Sequence, residues 1–250
     1  MTFKVVIPAR YASSRLPGKS LLDIAGKPMV IRVAEQANKS GASAIVIATD
    51  FEKIMQVAKA HGVGAVMTNV NHISGTDRIA EVVQTLDWDD DDIVVNVQGD
   101  EPLIDPQLIQ EVALTLVHSK EAVMATACHA IHDEASMLNP NVVKVVLDTN
   151  GNALYFSRAP IPYPRDEIHK QQIKAYRHIG IYAYRAGFLK QYADLTATEL
   201  EQIESLEQLR VLHHGYKIAV TITDNAPATG VDTQADLDEV RRILSQQVID

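Results

Sequence analysis

The chain has 250 residues, enough for one domain with a sizeable core, because a chain of this length buries roughly 70–75% of the surface that its unfolded form exposes. Its 23 Lys and Arg against 32 Asp and Glu give a formal charge of −9, which argues against a nucleic-acid track and against electrostatic docking on a membrane. A single cysteine excludes an internal disulfide and agrees with a reducing compartment.

The first half of the chain alternates apolar, strand-like runs with segments of helical period. The predicted strands cover residues 3–7, 44–48, 65–67 and 93–97, and the predicted helices begin at Pro28 and cover residues 51–60 and 75–86. This alternation predicts an α/β fold with a mostly parallel sheet and helices on both faces. No apolar run reaches the roughly 18 residues of a membrane span, and no signal-peptide core forms, so we expect a cytoplasmic protein.

The second half is less regular and predicts a β-rich insertion at about residues 130–195 within a single domain covering residues 1–250. The elements expected there and after it are strands at 142–147, 153–156 and 179–184, a proline-rich turn at 159–164, a helix at 199–212, a strand at 218–222 and a closing helix at 233–246. Thr233 is the expected cap of the last helix. Cys128 lies in an apolar run and is expected to be a buried strand thiol.

The loop after the first predicted strand holds three cations, Arg10, Arg15 and Lys19, among small residues whose backbone amides can face a ligand. At the carboxyl end of a strand, this composition suits a triphosphate. The loop lacks the glycine of a Walker motif at position 13 and has no Gly-x-Gly-x-x-Gly fingerprint, which argues against a dinucleotide oxidoreductase. The alternative is a merely basic surface loop.

Two carboxylates follow predicted strands and are candidate magnesium ligands. Asp100 comes directly after the strand at 93–97, with Gly99 beside it to let a ligand approach the backbone, and Asp232 lies between a strand and a helix. Each has an ordinary alternative: Asp100 could form a turn, and Asp232 could cap the helix. The acidic run 89–92 is expected to be a solvated loop rather than a metal site.

Eight segments resemble, in order, the bacterial 3-deoxy-manno-octulosonate (KDO) cytidylyltransferases, also called CMP-KDO synthetases, over nearly the whole chain. They are IPARYASSRLPGKSLLDIAGKPM (7–29), SGTDR (74–78), NVQGDEP (96–102), VKVVLD (143–148), ALYFSRAPIP (153–162), RHIGIYAYR (177–185), LEQLR (206–210) and TGVDT (229–233). The resemblance implies a Rossmann-like fold of the nucleotide-diphospho-sugar transferase type, a magnesium-dependent enzyme and a homodimer that interacts with neither nucleic acid nor membrane.

The resemblance also implies roles for individual residues. The catalytic group would be Lys19, Arg10, Asp100 and Asp232, and the two aspartates would hold the metal. CTP would be bound by Ala9, Arg10, Arg15, Lys19, Ser74, Gly75, Thr76, Arg78 and Gln98. The sugar would be bound by Arg158, His178, Tyr182, Glu207 and Gln208, with the cations facing its carboxylate. Without the resemblance, His178 would be interpreted as a structural histidine, and Glu207 and Gln208 as an exposed helix face.

The expected reaction is attack of the sugar's C2 hydroxyl on the α-phosphorus of CTP with release of diphosphate, which depends on positioning and charge neutralisation. Two rival hypotheses remain open at this stage. One is a cytidylyltransferase for another acid sugar, such as a sialic acid or 8-amino-KDO. The other is a non-catalytic nucleotide-binding module, which the combination of Lys19, Asp100 and Asp232 disfavours.

Overall fold

The computed structural model of the protein describes residues 2–11, 16–72, 74–166, 174–224, 228 and 230–247. Its strands are β1 (Phe3–Ala9), β2 (Asp23–Ile24), β3 (Lys27–Pro28), β4 (Ala44–Thr49), β5 (Gly64–Met67), β6 (Ile93–Asn96), β7 (Ala122–Ala130), β8 (Lys144–Leu147), β9 (Ala153–Ser157), β10 (Tyr176–Arg185) and β11 (Lys217–Ile222). Its helices are α1 (Met29–Lys39), α2 (Glu52–Ala60), α3 (Gly75–Thr85), α4 (Pro106–His118), α5 (Glu134–Leu138), α6 (Ala186–Tyr192), α7 (Glu199–Glu204), α8 (Gln208–His213) and α9 (Gln234–Gln247), with a 3₁₀ turn at Lys19–Leu21.

One sheet organises the molecule, in the order β11-β7-β10-β6-β1-β4-β5. Six of these strands run parallel to one another, and β10 runs antiparallel to both of its neighbours in that order, β6 and β7. The hairpin of β8 and β9 joins the sheet at the beginning of β10. The prediction of a mostly parallel sheet is confirmed, and the antiparallel β10 is the strand that the alternating pattern did not indicate.

The core lies on both faces of this sheet, as the alternation of side chains along β1 illustrates. Val5 and Ile7 pack into the cluster on one face with α1 and α4, whereas Val6, between them, packs into the cluster on the other face with α3 and α6. Helices cover both faces, so the side chains of the central strands are buried in both directions. All four residues of β6 are buried in this way.

The carboxyl ends of β1 and β6 lie side by side and place two loops next to each other. The strands are parallel neighbours, with Val6 paired to Asn96. The amide of Val97 donates to the carbonyl of Val6 at 3.1 Å, which extends the contact into the turn after β6. A Cβ on Gly99 would lie 2.6 Å from the carbonyl oxygen of Pro8. Close approach of the chain's own backbone, rather than of a ligand, therefore requires glycine at this position.

The predicted single helix over residues 199–212 is wrong, because α7 and α8 are separated at Ser205, which has a positive φ of 51°. The reason is tertiary. The Arg158 side chain donates to the carbonyls of Glu204, at 2.6 Å, and Ser205, at 3.4 Å. These carbonyls face an arginine from another element instead of the amides of a continuing helix. Helical periodicity alone does not reveal such a partner.

Other expectations have mixed outcomes. Cys128 is buried in β7, and burial raises the pKa of its thiol to about 12, as expected for a structural cysteine. In the acidic run, Asp92 pairs with Lys4 and Asp90 with Lys190, in keeping with a surface loop. Helix α4 was not assigned from the sequence.

The boundaries of the proposed insertion stay a prediction. Among the described helices, none combines the length and apolar composition needed to cross a bilayer.

Candidate active site

Three residues predicted from separate segments meet at the carboxyl end of the sheet. The ammonium of Lys19 lies 2.5 Å from Oδ2 of Asp100 and 3.3 Å from Oδ1 of Asp232, and it also donates to the carbonyl of Val231 at 3.3 Å. Lys19 begins the 3₁₀ turn after Gly18, whose φ of 66° favours glycine. The prediction that these residues form one cluster, which we call the Lys19 cluster, is consistent with this geometry.

Backbone contacts hold the two aspartates of the Lys19 cluster in place. The amide of Val231 donates to the carbonyl of Asp100 at 2.8 Å, which joins the turn after β6 to the segment before α9. The cap of α9 is Thr233, whose hydroxyl accepts from the amide of Asp236 at 3.2 Å. The carboxylate of Asp236 in turn accepts from the amides of Thr233 and Asp232. Because Thr233 caps the helix, the carboxylate of Asp232 is available to face Lys19.

The cluster has the chemistry of a cation site. Two carboxylates face one ammonium, and burial together with the charge of Asp100 raises the pKa of the neighbouring Glu101 to about 7. Among the described residues, no group of three or more His, Cys, Asp or Glu side chains could hold a metal. Two carboxylates fit a hard cation such as Mg²⁺ that takes its remaining ligands from phosphate and water.

The segment beside the Lys19 cluster carries Arg10, which directly follows β1. The carbonyl of Arg10 accepts from the hydroxyl of Ser20 at 3.4 Å. The next residue, Tyr11, stacks on Phe51 with ring centroids 4.0 Å apart, and its amide donates to Asp50 at 3.4 Å. The chain before and after the loop is thus tied to the body of the protein. Arg15, the third predicted cation, lies outside the described residues.

A cavity of about 440 Å³ borders the carboxyl end of β6, where Asn96 and Gln98 line it, and brings together residues predicted for two different substrates. Its wall includes Gly75, Thr76 and Gln98 from the predicted CTP set and His178, Tyr182, Glu207 and Gln208 from the predicted sugar set. The cavity wall, as formed by the described residues, does not include Ala9, Ser74, Arg78 or Arg158. The residues of the wall that the sequence did not assign are Asn96, Met124, Asn141, Val143, Arg177, Gly180, Tyr184, Tyr192, Ser205, Leu206 and Val211.

Two polar atoms in this wall have no hydrogen-bond partner among the described residues. They are Oδ1 of Asn96 and Nε2 of Gln208, and both side chains are buried. A buried acceptor or donor left without a partner is costly, so such atoms in a cavity wall indicate a polar ligand. Asn96 was missed because it is the last residue of an apolar strand, where an asparagine gives no periodic signal.

A carboxyl group contributes to the same wall. The hydroxyl of Thr76 donates to Oε2 of Glu207 at 3.3 Å. Burial raises the pKa of Glu207, and nearby Asp77 adds to the effect. The hydroxyl of Tyr184 also lies in this wall, where burial raises its pKa. The interpretation of Glu207 and Gln208 as an exposed helix face is wrong for Gln208, which is 4% exposed, whereas Glu207 is exposed as expected; both residues line the cavity.

His178 is held as a neutral ring. Its Nε2 lies 3.0 Å from Oγ1 of Thr126, and that hydroxyl also lies 2.7 Å from the carbonyl of Ile181 and 3.0 Å from that of Ile179. Carbonyl oxygens only accept, so the single hydroxyl proton goes to one of them and Nε2 of His178 carries the proton donated to Thr126. Burial lowers the pKa of His178 to about 3. The expectation that this ring faces the sugar as a cation is therefore corrected: it offers hydrogen bonds without charge.

Two residues predicted to contact cytosine have structural partners instead. Ser74 caps α3: its hydroxyl accepts from the amide of Asp77 at 3.0 Å, and the Asp77 carboxylate accepts from the Ser74 amide. Arg78 is fully buried and donates to Asp50 at 2.9 Å and to the hydroxyl of Thr68. Their neighbours Gly75 and Thr76 do reach the cavity.

The two arginines near the sugar side of the cavity differ in their surroundings. The guanidinium of Arg158 donates to the carbonyls of Glu204, Pro140 and Ser205. Arg177, the first residue of the RHIGIYAYR segment and without a role predicted from the sequence, lies in the cavity wall and is exposed. Its position at the beginning of β10 was not recognisable as a site residue because the antiparallel strand was not placed in the sheet.

Comparisons with known proteins agree with this geometry. The family model described as "Cytidylyltransferase" matches residues 4–218. The 3-deoxy-manno-octulosonate cytidylyltransferase of Neisseria meningitidis serogroup A is 59% identical over 248 residues, covering 97% of this chain and 98% of that protein. The Neisseria gonorrhoeae protein of the same name, from strain NCCP11945, is 58% identical over the same shares of the two chains.

Solved structures are similar as well. The structure of a CMP:2-keto-3-deoxy-manno-octonic acid synthetase complexed with CTP matches with a TM-score of 0.91 and 44% identity, covering 99% of this chain and 100% of that chain. A cytidylyltransferase from Leptospira borgpetersenii matches with a TM-score of 0.64 at 18% identity, covering 98% of this chain and 87% of that chain, a likeness of fold alone.

Proposed function

The chain belongs to the 3-deoxy-manno-octulosonate cytidylyltransferase family, and we propose that it converts CTP and KDO to CMP-KDO and diphosphate, activating KDO for lipopolysaccharide biosynthesis. One observation carries the proposal to this chain's own residues: the turn after β6 carries both Gln98, in the wall of the polar cavity, and Asp100, in the Lys19 cluster. A charged site and a polar site placed together suit the transfer of a nucleotide to a sugar.

In the proposed reaction, the C2 hydroxyl of the sugar attacks the α-phosphorus of CTP. A new oxygen–phosphorus bond forms, the bond between the α-phosphorus and the bridging oxygen breaks, and diphosphate leaves in line. The hydroxyl proton passes to solvent or to a bound base. Such transfers depend chiefly on positioning and on neutralising charge, so no covalent intermediate on the protein is needed.

We propose Asp100 and Asp232 as the residues that hold Mg²⁺. When bound there, the ion would neutralise phosphate charge and make the attacking hydroxyl more acidic. The aspartates supply oxygen ligands from two chain segments that the Val231–Asp100 backbone bond fixes relative to each other. A hydroxyl already made acidic in this way needs no dedicated side-chain base.

The proposed role of Lys19 is to neutralise charge on the phosphates of CTP. Its ammonium already faces Asp100 and Asp232, so it lies where triphosphate and metal would meet. Arg10 follows β1 at the same end of the sheet and would share this task. A compact ammonium suits a point of concentrated negative charge, whereas a guanidinium suits two oxygens at once.

Cytosine and sugar would share the cavity in the proposed enzyme. Gly75, Thr76 and Gln98 are the candidate base contacts, because a backbone turn, a hydroxyl and an amide can match an amino donor and two acceptors. The sugar hydroxyls would meet His178, Tyr182, Glu207 and Gln208, with the unpartnered Nε2 of Gln208 as one donor. For the sugar's carboxylate, the candidate cations are Arg177, which lies in the wall, and Arg158, which donates to the carbonyl of the wall residue Ser205.

A homodimer and a cytoplasmic location belong to the proposal. The support for the dimer is a groove along the β-rich section that Met137, Leu138, Pro160 and Tyr163 line, where Leu138 is 59% and Tyr163 80% exposed. The support for the location is that the single cysteine is a buried free thiol, as is usual in a reducing compartment.

An enzyme for 8-amino-KDO or a sialic acid is the second candidate, because the cavity wall is polar on the sugar side.

The test is identification of the product. Purified protein is incubated with CTP, KDO and Mg²⁺, and the mixture is analysed by ³¹P NMR and mass spectrometry. We expect a phosphodiester resonance and the mass of CMP-KDO, formed together with diphosphate. Asp100→Asn is the inactive control and Lys190→Met is the active one, since Lys190 lies in α6 and pairs with Asp90 in the acidic loop. CTP left unchanged by well-folded protein would favour the non-catalytic nucleotide-binding module.

A further inference from the structure

Lys144 is a fully buried lysine behind the sugar side of the cavity. It lies in β8, and its ammonium donates to three backbone carbonyls: that of Asn139 at 3.0 Å, that of Val142 at 2.6 Å and that of Arg158 at 2.6 Å. Asn139 and Val142 belong to the turn before β8, whereas Arg158 follows β9. The lysine thus joins two segments that are separate in the sequence.

The three bonds require the charged form of the side chain. A carbonyl oxygen can only accept, and a neutral amine has two N–H groups, so three carbonyls are satisfied only by an ammonium. Burial lowers the pKa of Lys144, opposed by the nearby negative charge of Glu204 and reinforced by the positive charge of Arg158. A buried cation without a direct carboxylate partner is unusual, and here carbonyl dipoles replace that partner.

Both segments that Lys144 joins reach the cavity wall. In the first, Asn141 and Val143 line the cavity, and the carbonyl of Val143 accepts from the amide of His178 at 2.8 Å. In the second, the guanidinium of Arg158 donates to the carbonyls of Pro140 at 3.0 Å and Ser205 at 3.4 Å. Ser205 precedes Leu206, Glu207 and Gln208, which line the same wall.

The carboxylate of Glu204 closes this network. It accepts from the hydroxyl of Ser157 at 2.6 Å and from the amide of Arg158 at 2.9 Å. The break between α7 and α8, the end of β9 and the turn before β8 are therefore connected through hydrogen bonds to Lys144, Arg158 and Glu204. Among the described residues, none of these hydrogen bonds reaches Gly75, Thr76 or Gln98 on the base side.

We propose that Lys144 is a positioning residue for the acid sugar. It does not touch the ligand but holds the two segments whose side chains and carbonyls form the sugar side of the cavity. The proposal rests on the proposed function, since it assigns this wall to the sugar. Its consequence is selective: loss of the ammonium loosens the sugar side and leaves the base side and the Lys19 cluster in place.

The test is the kinetics of Lys144→Met, which keeps an unbranched side chain one atom shorter than lysine and removes the three donors. We expect the KM for KDO to rise roughly 10- to 100-fold, the effect of displacing substrate-orienting groups, while the KM for CTP stays within about 2-fold of wild type. Lys190→Met is the matched control. Lys190 also donates to a backbone carbonyl, that of Trp88 at 2.8 Å, but on a loop away from the cavity, so neither KM should change.

Folding of Lys144→Met is checked by circular dichroism and by a cooperative thermal transition. If that variant does not fold, the KM values of Lys144→Arg for KDO and for CTP are measured instead. Its planar fork keeps the charge but cannot reach three carbonyls arranged around one nitrogen, so the KM for KDO should still rise more than that for CTP. A folded variant with an unchanged KM for KDO, or with both constants raised equally, would overturn the proposal.

Hydrogen exchange separates this proposal from the proposed function. The amide of Val142 donates to the carbonyl of Asn139 and the amide of His178 to that of Val143, so both amides report on the turn before β8. In Lys144→Met we expect faster exchange at these amides and unchanged exchange in β1 and β6. Failure of the wild type to release diphosphate, together with this local change, would refute the proposed function while showing that Lys144 does hold the two segments together. Unchanged exchange would refute the positioning role whatever the activity.

Discussion

The ammonium of Lys19 lies 2.5 Å from the carboxylate of Asp100, although 81 positions separate the two residues in the sequence. They lie close together because β1 pairs with β6 in parallel, and parallel neighbouring strands have their carboxyl ends at the same edge of the sheet. Asp232, 3.3 Å from the same ammonium, joins them from the segment before α9. The proposed reaction mechanism depends on the Lys19 cluster.

Replacing Lys19 by alanine should lower turnover at saturating CTP and KDO by roughly 10²–10³-fold, the range for loss of one preorganised electrostatic donor. The reason is that the ammonium offsets charge that grows as the bond between the α- and β-phosphates breaks. The measurement is steady-state diphosphate release, with folding checked by circular dichroism. An alanine variant with normal turnover and only a raised KM for CTP would make Lys19 a ground-state binding residue.

Lys19→Arg should restore turnover only in part. It keeps the positive charge, but a planar guanidinium cannot place a compact charge between two carboxylates in the same way. The comparison of the two variants therefore separates the need for charge from the need for its position. Full activity of the arginine variant would show that charge alone suffices.

Asp100→Asn should nearly abolish turnover, because an amide keeps the shape of the side chain and loses the charge that a hard cation requires. Asp232→Asn should also lower turnover. Diphosphate release measured across a range of Mg²⁺ concentrations checks both variants. If Asp100→Asn has normal activity at limiting Mg²⁺, then Asp100 is not a metal ligand. The thermal stability of Asp232→Asn should change little, since Thr233 is the cap of α9.

CTP should be preferred over UTP. Uracil has a carbonyl where cytosine has an amino group, so an acceptor would face an acceptor in the cavity at a cost of ~1–3 kcal/mol, or roughly 5- to 150-fold in kcat/KM. The groups responsible would be Gly75, Thr76 and Gln98 in the cavity wall. Competition between the two nucleotides at a fixed KDO concentration measures the ratio. Equal use of both would remove the base-recognition role from these residues.

The neutral state of His178 should appear in the pH dependence of stability. Its folded-state pKa, about 3, lies below its ordinary value of 6.5, so between these values the unfolded chain binds a proton that the folded protein does not. Stability is therefore lost as pH falls below 6.5, and the loss levels off near pH 3. At pH 5 this amounts to about 2 kcal/mol relative to pH 8.

Urea unfolding of wild type and His178→Gln at pH 8 and pH 5 tests this expectation. The glutamine amide can still donate to the hydroxyl of Thr126 but does not titrate in this range. The wild type should lose about 2 kcal/mol more than the variant between the two pH values. Equal losses would mean that the imidazole titrates normally in the folded protein.

The sequence predicted the parts of the site that depend on strand ends. Lys19, Asp100 and Asp232 each follow or flank a strand-like segment, so their meeting at one edge of the sheet could be expected. Ser74 and Arg78 lie in a motif that borders the cavity, yet one caps α3 and the other pairs with Asp50. A sequence motif identifies residues that lie near the cavity, but it does not show which of their side chains face the cavity.

Tertiary contacts account for what the sequence did not predict. Helical periodicity continues across Ser205, and only the carbonyl contacts of Arg158 explain the break there. The tautomer of His178 depends on Thr126, 52 positions away. Asn96 and Arg177 line the cavity from two strands, and β10 brings them to it by pairing with β6 at one end and with β7 and β8 at the other, pairings that no local pattern encodes.

The most direct test of the central claim is diphosphate release by the wild-type protein across the four nucleoside triphosphates and a panel of acid sugars containing KDO, 8-amino-KDO and a sialic acid, each with Mg²⁺. The account predicts the highest kcat/KM for CTP with KDO and little release with the purine nucleotides. Equal rates with all four nucleotides, or no release with CTP and any acid sugar, would contradict it.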